Sequence, residues 1–316
     1  MPVISVVMPA RDAEKYISDA VESILNQTFK DFELIIVNDG STDKTLSIIE
    51  SKGDDRIKII STEGIGLVDS LNLGIASSQG DLIARMDADD IACLGRLEEQ
   101  YSFLLKNRSY NFICSDVMLI NTEGAVIGSH ELKVKDNYEF IRGLTLKSQF
   151  KPIIHPSVMF KKDLFDKVSG YRKYLAAEDR DLWLRMLHSN AQFAWLNKPL
   201  LKYRVNPNGE SSTKRSIQKA NSLLAIFCFE IMSEIGEDVY RNDEIYNSFQ
   251  NYFMGYANNW ISDFESFNQC KSKLRKGKLC FNFLSAIRYY LFRNKKDRYI
   301  VDKAKGLYLE LNNRLN

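Results

Sequence analysis

Cysteine is scarce in this sequence and does not occur in closely spaced pairs. The 316 residues include five cysteines, an odd number, and no C-x-x-C. They are Cys93, Cys114, Cys228, Cys270 and Cys280. Structural zinc sites and disulfide frameworks need paired or closely spaced cysteines. The scatter argues against both and predicts reduced thiols in the core or at the surface.

Long apolar runs are also missing. No uninterrupted apolar stretch reaches the roughly 18 residues that a membrane-spanning helix needs. The N-terminus enters the apolar segment 3–7 without a basic region and a cleavable apolar run, so no signal peptide is expected. The composition, 45% hydrophobic and 27% charged, is that of an ordinary globular protein. We expect a cytoplasmic protein.

Charge of neither sign dominates the whole chain. Lys and Arg number 43 against 41 Asp and Glu, a formal net charge of +2. Residues 271–298 nevertheless carry ten Lys or Arg and one acid, Asp297. Aromatic and apolar residues interleave with these charges, which is typical of a basic amphipathic helix on anionic lipid. A solvated face over a buried stripe is one alternative, and a nucleic-acid surface is another.

Apolar strands alternate with amphipathic helices through the first half of the sequence. Strands are predicted at 3–8, 32–37 and 57–60, and a fourth follows the turn at Gly80. Helices are predicted at 14–26, 67–76 and 94–106. This alternation indicates an α/β fold with a mostly parallel sheet covered on both faces.

The second half has a different pattern. Segments 112–120 and 125–129 predict a hairpin at the sheet edge. Residues 153–160 predict a strand that is bent or at an edge, because Pro156 lacks an N–H. From about Thr213 onward the apolar spacing is helical.

Polar residues follow the predicted strands where ligands bind in such sheets, beyond the carboxyl ends. They are Pro9–Asp12, Asp39 and Asp87–Asp89. No G-x-x-x-x-G-K-[ST] is present, and the G-x-G at 64–66 is followed by Asp69 where a dinucleotide fingerprint needs a third glycine. The phosphates of a nucleotide would therefore be held by a metal ion.

Asp87 and Asp89 are two residues apart, so on extended backbone they point to the same side. Paired carboxylates suit Mn²⁺ or Mg²⁺, which bind carboxylates together with water and substrate phosphates. An EF-hand loop is excluded because Ala92 stands where that loop needs glycine. A solvated acidic turn is the alternative reading of an isolated D-x-D.

Three ordered motifs resemble the family 2 (GT-A) inverting glycosyltransferases over about the first two-thirds of the chain. They are Ser5-Val6-Val7-Met8-Pro9, Ile35-Ile36-Val37-Asn38-Asp39-Gly40-Ser41-Thr42-Asp43 and Met86-Asp87-Ala88-Asp89-Asp90. The resemblance implies a Rossmann-like GT-A sheet flanked by helices, a UDP-sugar donor and Mn²⁺ or Mg²⁺.

The resemblance also assigns the nucleotide site. Asp39 would contact the base, usually uracil, Asp87 the nucleoside, and Asp89 the cation. The remaining predicted nucleotide-binding residues are Pro9, Ala10, Arg11, Arg85 and Met86. Arg11-Asp12 departs from the family, which commonly has Tyr-Asn there, and the Arg11 guanidinium would stack on the base instead.

Glu178 and Asp179 precede an apolar helical face, and negative charge is favoured at a helix N-terminus. Ordinary charge complementarity explains such a pair in isolation. By resemblance, Asp179 is the base that deprotonates the acceptor hydroxyl, with Glu178 as its neighbour. His155 would face the acceptor, and Trp183 is either a sugar platform or a core residue. Asn206 stands where relatives often bring a histidine to the metal, so it is a doubtful ligand.

The sequence therefore predicts a GT-A catalytic domain at 1–212, with a nucleotide-sugar half at about 1–110 and an acceptor half at about 111–212. A helical, basic extension follows at 213–316. The expected enzyme moves a hexose or N-acetylhexosamine from a UDP-sugar to a glycan or lipid-linked acceptor. It is expected to be a peripheral protein at the inner face of the cytoplasmic membrane and to bind no nucleic acid. The oligomeric state is open. A sugar-1-phosphate nucleotidyltransferase and a catalytically silent nucleotide-sugar binding or scaffold module are the alternatives.

Overall fold

The computed structural model describes residues 1–132, 153–173, 177–207, 214–236, 238–241, 243, 246–258 and 299–309. Among these, residues 1–132, 153–173 and 185–206 form one unit, which contains the sheet. Residues 177–184 and those from 207 onward form a second unit. The predicted division of the chain at residue 212 stays a prediction.

The strands are β1 (Ile4–Ala10), β2 (Phe32–Asp39), β3 (Ile57–Thr62), β4 (Leu82–Arg85), β5 (Ile91–Ala92), β6 (Phe112–Ile120), β7 (Val126–His130), β8 (Met159–Lys161) and β9 (Phe193–Arg204). They form one sheet in the order β3-β2-β1-β4-β8-β6-β9-β5, with β7 paired to β6. Strands β1 to β4 are parallel to one another, and β6 is parallel to β9, whereas β8 is antiparallel to β4 and β6. The α/β prediction and the β6–β7 hairpin are confirmed.

The helices are α1 (Ile17–Leu25), α2 (Thr45–Glu50), α3 (Leu67–Ala76), α4 (Arg96–Lys106), α5 (Lys162–Lys167), α6 (Glu178–His188) and α7 (Arg215–Ile235). Residues 246–258 and 299–309 are also helical. The apolar spacing explains which faces are buried. Helix α1, for example, buries Ile17, Ala20, Val21 and Ile24, which recur every three or four residues, while every residue of β1 is buried.

The strand predicted at 153–160 is wrong over most of its length. His155–Ser157 form a single 3₁₀ turn, and β8 begins only at Met159. The Ser157 N–H and hydroxyl both donate to the carbonyl of Ile154, and Pro156 has no N–H to give to a ladder. The prediction allowed either a bent strand or an edge strand, and the edge alternative is wrong because β8 lies inside the sheet, between β4 and β6.

The second unit is helical in its described C-terminal part, as predicted. The ring of Phe227 on α7 lies 4.4 Å from that of Phe249 and 6.0 Å from that of Tyr308. The ammonium of Lys305 lies 3.3 Å from the buried carboxylate of Glu230. No helix among the described residues is long and apolar enough to cross a bilayer. The basic segment 271–298 lies outside the described residues, and its predicted lipid contact stays a prediction.

Candidate functional site

The carboxyl ends of β1, β2 and β4 lie side by side. Strand β1 is parallel to β2 on one side and to β4 on the other. The three strands end at Ala10, Asp39 and Arg85, so the polar segments that follow them lie at one edge of the sheet. The predicted convergence is confirmed for the loops in this unit.

The loops after β1 and β2 are held together by side-chain hydrogen bonds. The carboxylate of Asp12 accepts the N–H of Thr42 at 2.8 Å, and the Asp12 N–H donates to the Ser41 hydroxyl at 3.1 Å. The next N–H, from Ala13, donates to Thr45 Oγ1 at 2.7 Å. Because these hydrogen bonds link the loop after β1 to the segment after β2, they fix the shape of both without a ligand.

Asp39 supports the loop that follows β3. One of its carboxylate oxygens accepts the Thr62 hydroxyl at 2.7 Å and the N–H of Ile65 at 2.6 Å, and the other accepts the N–H of Gly66 at 2.9 Å. Burial alone would raise the pKa of Asp39, but these hydrogen bonds, together with the nearby Arg11, lower it below the ordinary value. Asp39 is therefore charged at neutral pH, and a carboxylate oxygen can accept a further hydrogen bond from a ligand.

Arg11 and two glycines border the same place. Gly40 has φ +66°, and a Cβ on it would lie 2.9 Å from the backbone nitrogen of Gly64, so only glycine allows this close approach of the two loops. The guanidinium of Arg11 lies over Gly64 and is exposed, whereas Pro9 and Ala10 are buried. Pro9 and Ala10 are the last residues of β1, so of these three predicted nucleotide-binding residues only Arg11 exposes its side chain.

Three carboxylates cluster after β4. Asp87, Asp89 and Asp90 each offer an oxygen, and these oxygens lie within 4.8 Å of one another. Asp87 is ion-paired with the guanidinium of Arg85. Asp90 is buried, and one of its oxygens, Oδ2, has no hydrogen-bond partner among the described residues.

Crowding changes the acidity of this cluster. Burial, followed by the charge of Asp87, raises the pKa of Asp89 to about 6. Burial, followed by the charges of Asp87 and Asp89, raises the pKa of Asp90 well above its ordinary value. Buried acids that repel one another and leave an oxygen unpartnered are stabilised by a cation. The donor set is all oxygen, so it fits Mn²⁺ or Mg²⁺.

Arg85 and Met86 lie in the interior. The side chain of Arg85 is 4% exposed, and that of Met86 is fully buried. In this structure Arg85 therefore acts on the site through its ion pair with Asp87. The predicted nucleotide contacts of both residues stay predictions.

His155 is hydrogen-bonded to a tyrosine. Its Nε2 lies 2.7 Å from the hydroxyl of Tyr171. Burial, with a further contribution from the positive charge of Arg85, holds the pKa of His155 well below its ordinary value, so the imidazole is neutral at pH 7. Its predicted contact with an acceptor is not tested by this arrangement.

Glu178 and Asp179, the two acids that include the predicted catalytic base, lie at the start of α6, as the sequence indicated. Glu178 is the first residue of the helix and is buried, and the carboxylate of Asp179 accepts the N–H of Arg180 at 2.6 Å. Trp183 is 1% exposed, which favours the core role over a sugar platform. Asn206 follows β9 and is half-buried.

Sequence reasoning missed two buried arginines that support the acidic loop. Arg96 is fully buried, and its guanidinium donates to the carbonyl of Arg85 at 2.7 Å. Arg204, at the end of β9, donates to the carbonyl of Asp89 at 2.7 Å. No local pattern marks either residue, because both contacts depend on how distant elements pack.

Comparisons with known proteins agree on the family. Residues 5–169 match the family model "Glycosyl transferase family 2". The chain is 36% identical over 221 residues to the O-antigen biosynthesis glycosyltransferase WbnJ of Escherichia coli, a match covering 68% of this chain and 84% of WbnJ.

Solved structures agree on the fold. The fold is similar to that of S. aureus TarS 1–349 in complex with UDP-GlcNAc, with a TM-score of 0.60, 20% identity, and coverage of 79% of this chain and 72% of that one. It is also similar to the mannosyltransferase PcManGT from Pyrobaculum calidifontis in complex with GDP-Man and Mn²⁺, with a TM-score of 0.57, 16% identity, and coverage of 97% and 86%. The fold is GT-A, and the chain belongs to glycosyl transferase family 2.

Proposed function

We propose that this glycosyltransferase moves a hexose or N-acetylhexosamine from a UDP-sugar to a hydroxyl of a glycan acceptor, with inversion at the anomeric carbon. The acceptor class we favour is a surface polysaccharide, a lipopolysaccharide or a lipid-linked oligosaccharide, as the name of WbnJ suggests for that relative. The observation that carries the proposal is the Asp87–Asp89–Asp90 cluster beside the loops after β1 and β2 in a family 2 chain. A cation site beside loops that contain no P-loop suits a nucleoside diphosphate, whose phosphates the cation would bind.

The nucleotide half of the proposal rests on Asp39 and Arg11. Asp39 is already charged and held by the loop at 62–66, so it is oriented to accept an N–H from a base edge. Arg11 offers a planar guanidinium that stacks on an aromatic ring. We propose UDP rather than another nucleotide because TarS, one of the similar structures, is in complex with UDP-GlcNAc. PcManGT, another of them, is in complex with GDP-Man.

The metal half rests on the acidic cluster. Asp89 would hold Mn²⁺ or Mg²⁺, with Asp87 and Asp90 nearby and the amide oxygen of Asn206 as a further candidate ligand. When bound, the cation would neutralise charge on the departing diphosphate. The ion pair with Arg85 balances Asp87 and leaves it free to accept a ribose hydroxyl.

The chemical step requires a base, because an unassisted sugar hydroxyl is a poor nucleophile. We assign this role to Asp179, with Glu178 beside it at the start of α6. Asp179 would take the hydroxyl proton as the oxygen forms its bond to the anomeric carbon and the diphosphate leaves from the opposite face. A positioned base typically contributes about 10²–10⁴-fold. His155 is proposed to contact the acceptor.

The proposal is tested by release of UDP from a panel of UDP-sugars, with Mn²⁺ or with EDTA, and with or without a glycan acceptor fraction. A transferase releases UDP only with metal, and faster when its acceptor is present. GDP-mannose is the matched donor control. A silent binding module would show thermal stabilisation by UDP and Mn²⁺ but no release of UDP with any donor.

A further inference from the structure

One arginine connects the acidic loop to three other parts of the first unit. Arg204 is the last residue of β9, and its side chain is 5% exposed. Its Nε donates to the carbonyl of Asp89 at 2.7 Å, and its backbone N–H donates to Asp90 Oδ1 at 2.8 Å. Two neighbouring members of the candidate cation site are thus held by a single residue more than a hundred positions away in the sequence.

The rest of the guanidinium is also used. Nη1 donates to the carbonyls of Asn121 at 3.0 Å and Thr122 at 3.2 Å, in the turn between β6 and β7. The guanidinium carbon lies 4.3 Å from the ring centroid of Tyr16, just before α1. A planar group with several donors in fixed directions can bind three carbonyls and an aromatic face at once, which an ammonium cannot.

These contacts bear on how the acidic cluster presents its oxygens. Oδ1 of Asp90 accepts the backbone N–H of Arg204, and Oδ2 has no hydrogen-bond partner among the described residues. The bond to the Asp89 carbonyl fixes the main chain from which the Asp89 carboxylate projects. Residues behind metal ligands commonly set ligand orientation, and their loss typically costs about 10–100-fold in metal affinity.

We infer that Arg204 is a positioning residue for the divalent cation. Its guanidinium sets the main chain of Asp89 by donating to that carbonyl, without itself touching the metal, the donor or the acceptor. The inference rests on the proposed binding of a cation at Asp89. It explains why an arginine is buried at the end of β9, directly before the segment that carries Asn206.

The chain provides a matched control in Arg56. Its guanidinium carbon lies 4.6 Å from the ring centroid of Phe32, and its Nη2 donates to the carbonyl of Leu25 at 3.1 Å. It also pairs with Asp54 at 2.7 Å. Arg56 thus combines the same kinds of contact as Arg204, but it precedes β3 and lies at the opposite end of the parallel strands from the acidic loop.

The test compares Arg204→Lys with Arg56→Lys in the full chain. Mn²⁺ binding is measured in the presence of UDP from the loss of the EPR signal of free Mn²⁺. Folding is measured by thermal denaturation. We expect Arg204→Lys to bind Mn²⁺ about tenfold more weakly. Its kcat should recover to within about threefold of wild type at saturating Mn²⁺, because the substitution removes no reacting group. Arg56→Lys should lose a few degrees in Tm and bind Mn²⁺ as wild type does.

Tyr16→Leu carries the test if Arg204→Lys does not fold. It removes the ring that packs against the guanidinium, so the Arg204 side chain is held less firmly against the Asp89 carbonyl, and we expect Mn²⁺ binding to weaken about threefold. Unchanged Mn²⁺ binding in a folded Arg204→Lys, or in Tyr16→Leu if only that variant folds, would overturn the inference while leaving the proposed metal site intact. Absence of Mn²⁺ binding by the wild type would overturn the proposed metal and this inference together.

Discussion

Two groups of aspartates lie at the same edge of the sheet and have opposite properties. The first group consists of Asp39, the last residue of β2, and Asp43 in the loop that follows. Asp39 is held by one hydroxyl and two backbone N–H groups, and Asp43 accepts hydrogen bonds from the N–H groups of Glu14 and Thr45. Burial opposes their ionisation, but the hydrogen bonds dominate, and the pKa of each is lowered.

The second group, Asp89 and Asp90, follows β4. Burial and mutual repulsion raise the pKa of both carboxyls, and Oδ2 of Asp90 lacks a partner among the described residues. Hydrogen bonds within the protein stabilise the carboxylates of the first group. The carboxylates of the second group repel one another, and a cation would relieve this repulsion. The acids at the end of β2 thus find their partners within the chain, whereas those after β4 would be stabilised by the proposed cation.

The largest expected effect lies outside both groups and tests whether chemistry and binding are separable. Asp179→Asn should reduce turnover by about 10²–10⁴-fold, because an amide cannot accept the hydroxyl proton. UDP and Mn²⁺ binding, measured by isothermal titration calorimetry, should change less than about threefold. An Asn variant that turns over at the wild-type rate would remove Asp179 from the role of base.

Asp89→Asn should reduce kcat/KM by about 10³-fold, since the cation contributes several kcal/mol to the departure of the diphosphate. Asp43→Asn is the matched control from the first group. It should lower Tm, because a cap of α2 is weakened, and keep Mn²⁺ binding within about twofold. Equal loss of Mn²⁺ binding in the two variants would erase the contrast between the groups.

Metal binding should weaken in acid. Asp89 has a pKa of about 6, so below that pH its carboxyl is protonated and a cation must displace the proton. The apparent Kd for Mn²⁺ should rise as the pH falls through 6, by up to about tenfold per pH unit. Asp39 and Asp43 stay ionised through this window because their pKa values are lowered. The slope is measured by Mn²⁺ EPR titration, and a slope unchanged in Asp89→Asn would contradict the assignment.

The smallest expected effect concerns the close approach of the two loops at Gly40 and Gly64. Gly40→Ala forces a Cβ to 2.9 Å from the backbone of Gly64 and strains a residue at φ +66°, whereas Gly53→Ala, at φ +59°, meets no atom within 4 Å. Each should lose about 1–2 kcal/mol in the free energy of unfolding through strain, and Gly40→Ala at least about 1 kcal/mol more. Denaturant unfolding measures both, and UDP binding should weaken severalfold only in Gly40→Ala.

Local patterns were enough for the elements that depend on neighbours in sequence. The alternation of apolar strands and amphipathic helices predicted β1 to β4 with α1, α3 and α4. Buried residues recur every two positions on a strand face and every 3.6 positions on a helix face, so the apolar pattern of the sequence shows both. The same reasoning failed at 153–160, where an apolar run suggested a strand. There Pro156 and the hydrogen bonds to Ile154 form a turn instead.

The amino-acid sequence by itself determined the α/β alternation, the polar residues at the strand ends and the three motifs shared with family 2. Only the tertiary structure decided that the pKa of Asp39 is lowered and the pKa of Asp89 is raised, because the burial and the hydrogen-bond partners of both residues come from other segments. It alone brought Arg204 against Asp89 and Asp90, since a contact across more than a hundred residues depends on strand order, which no local pattern encodes.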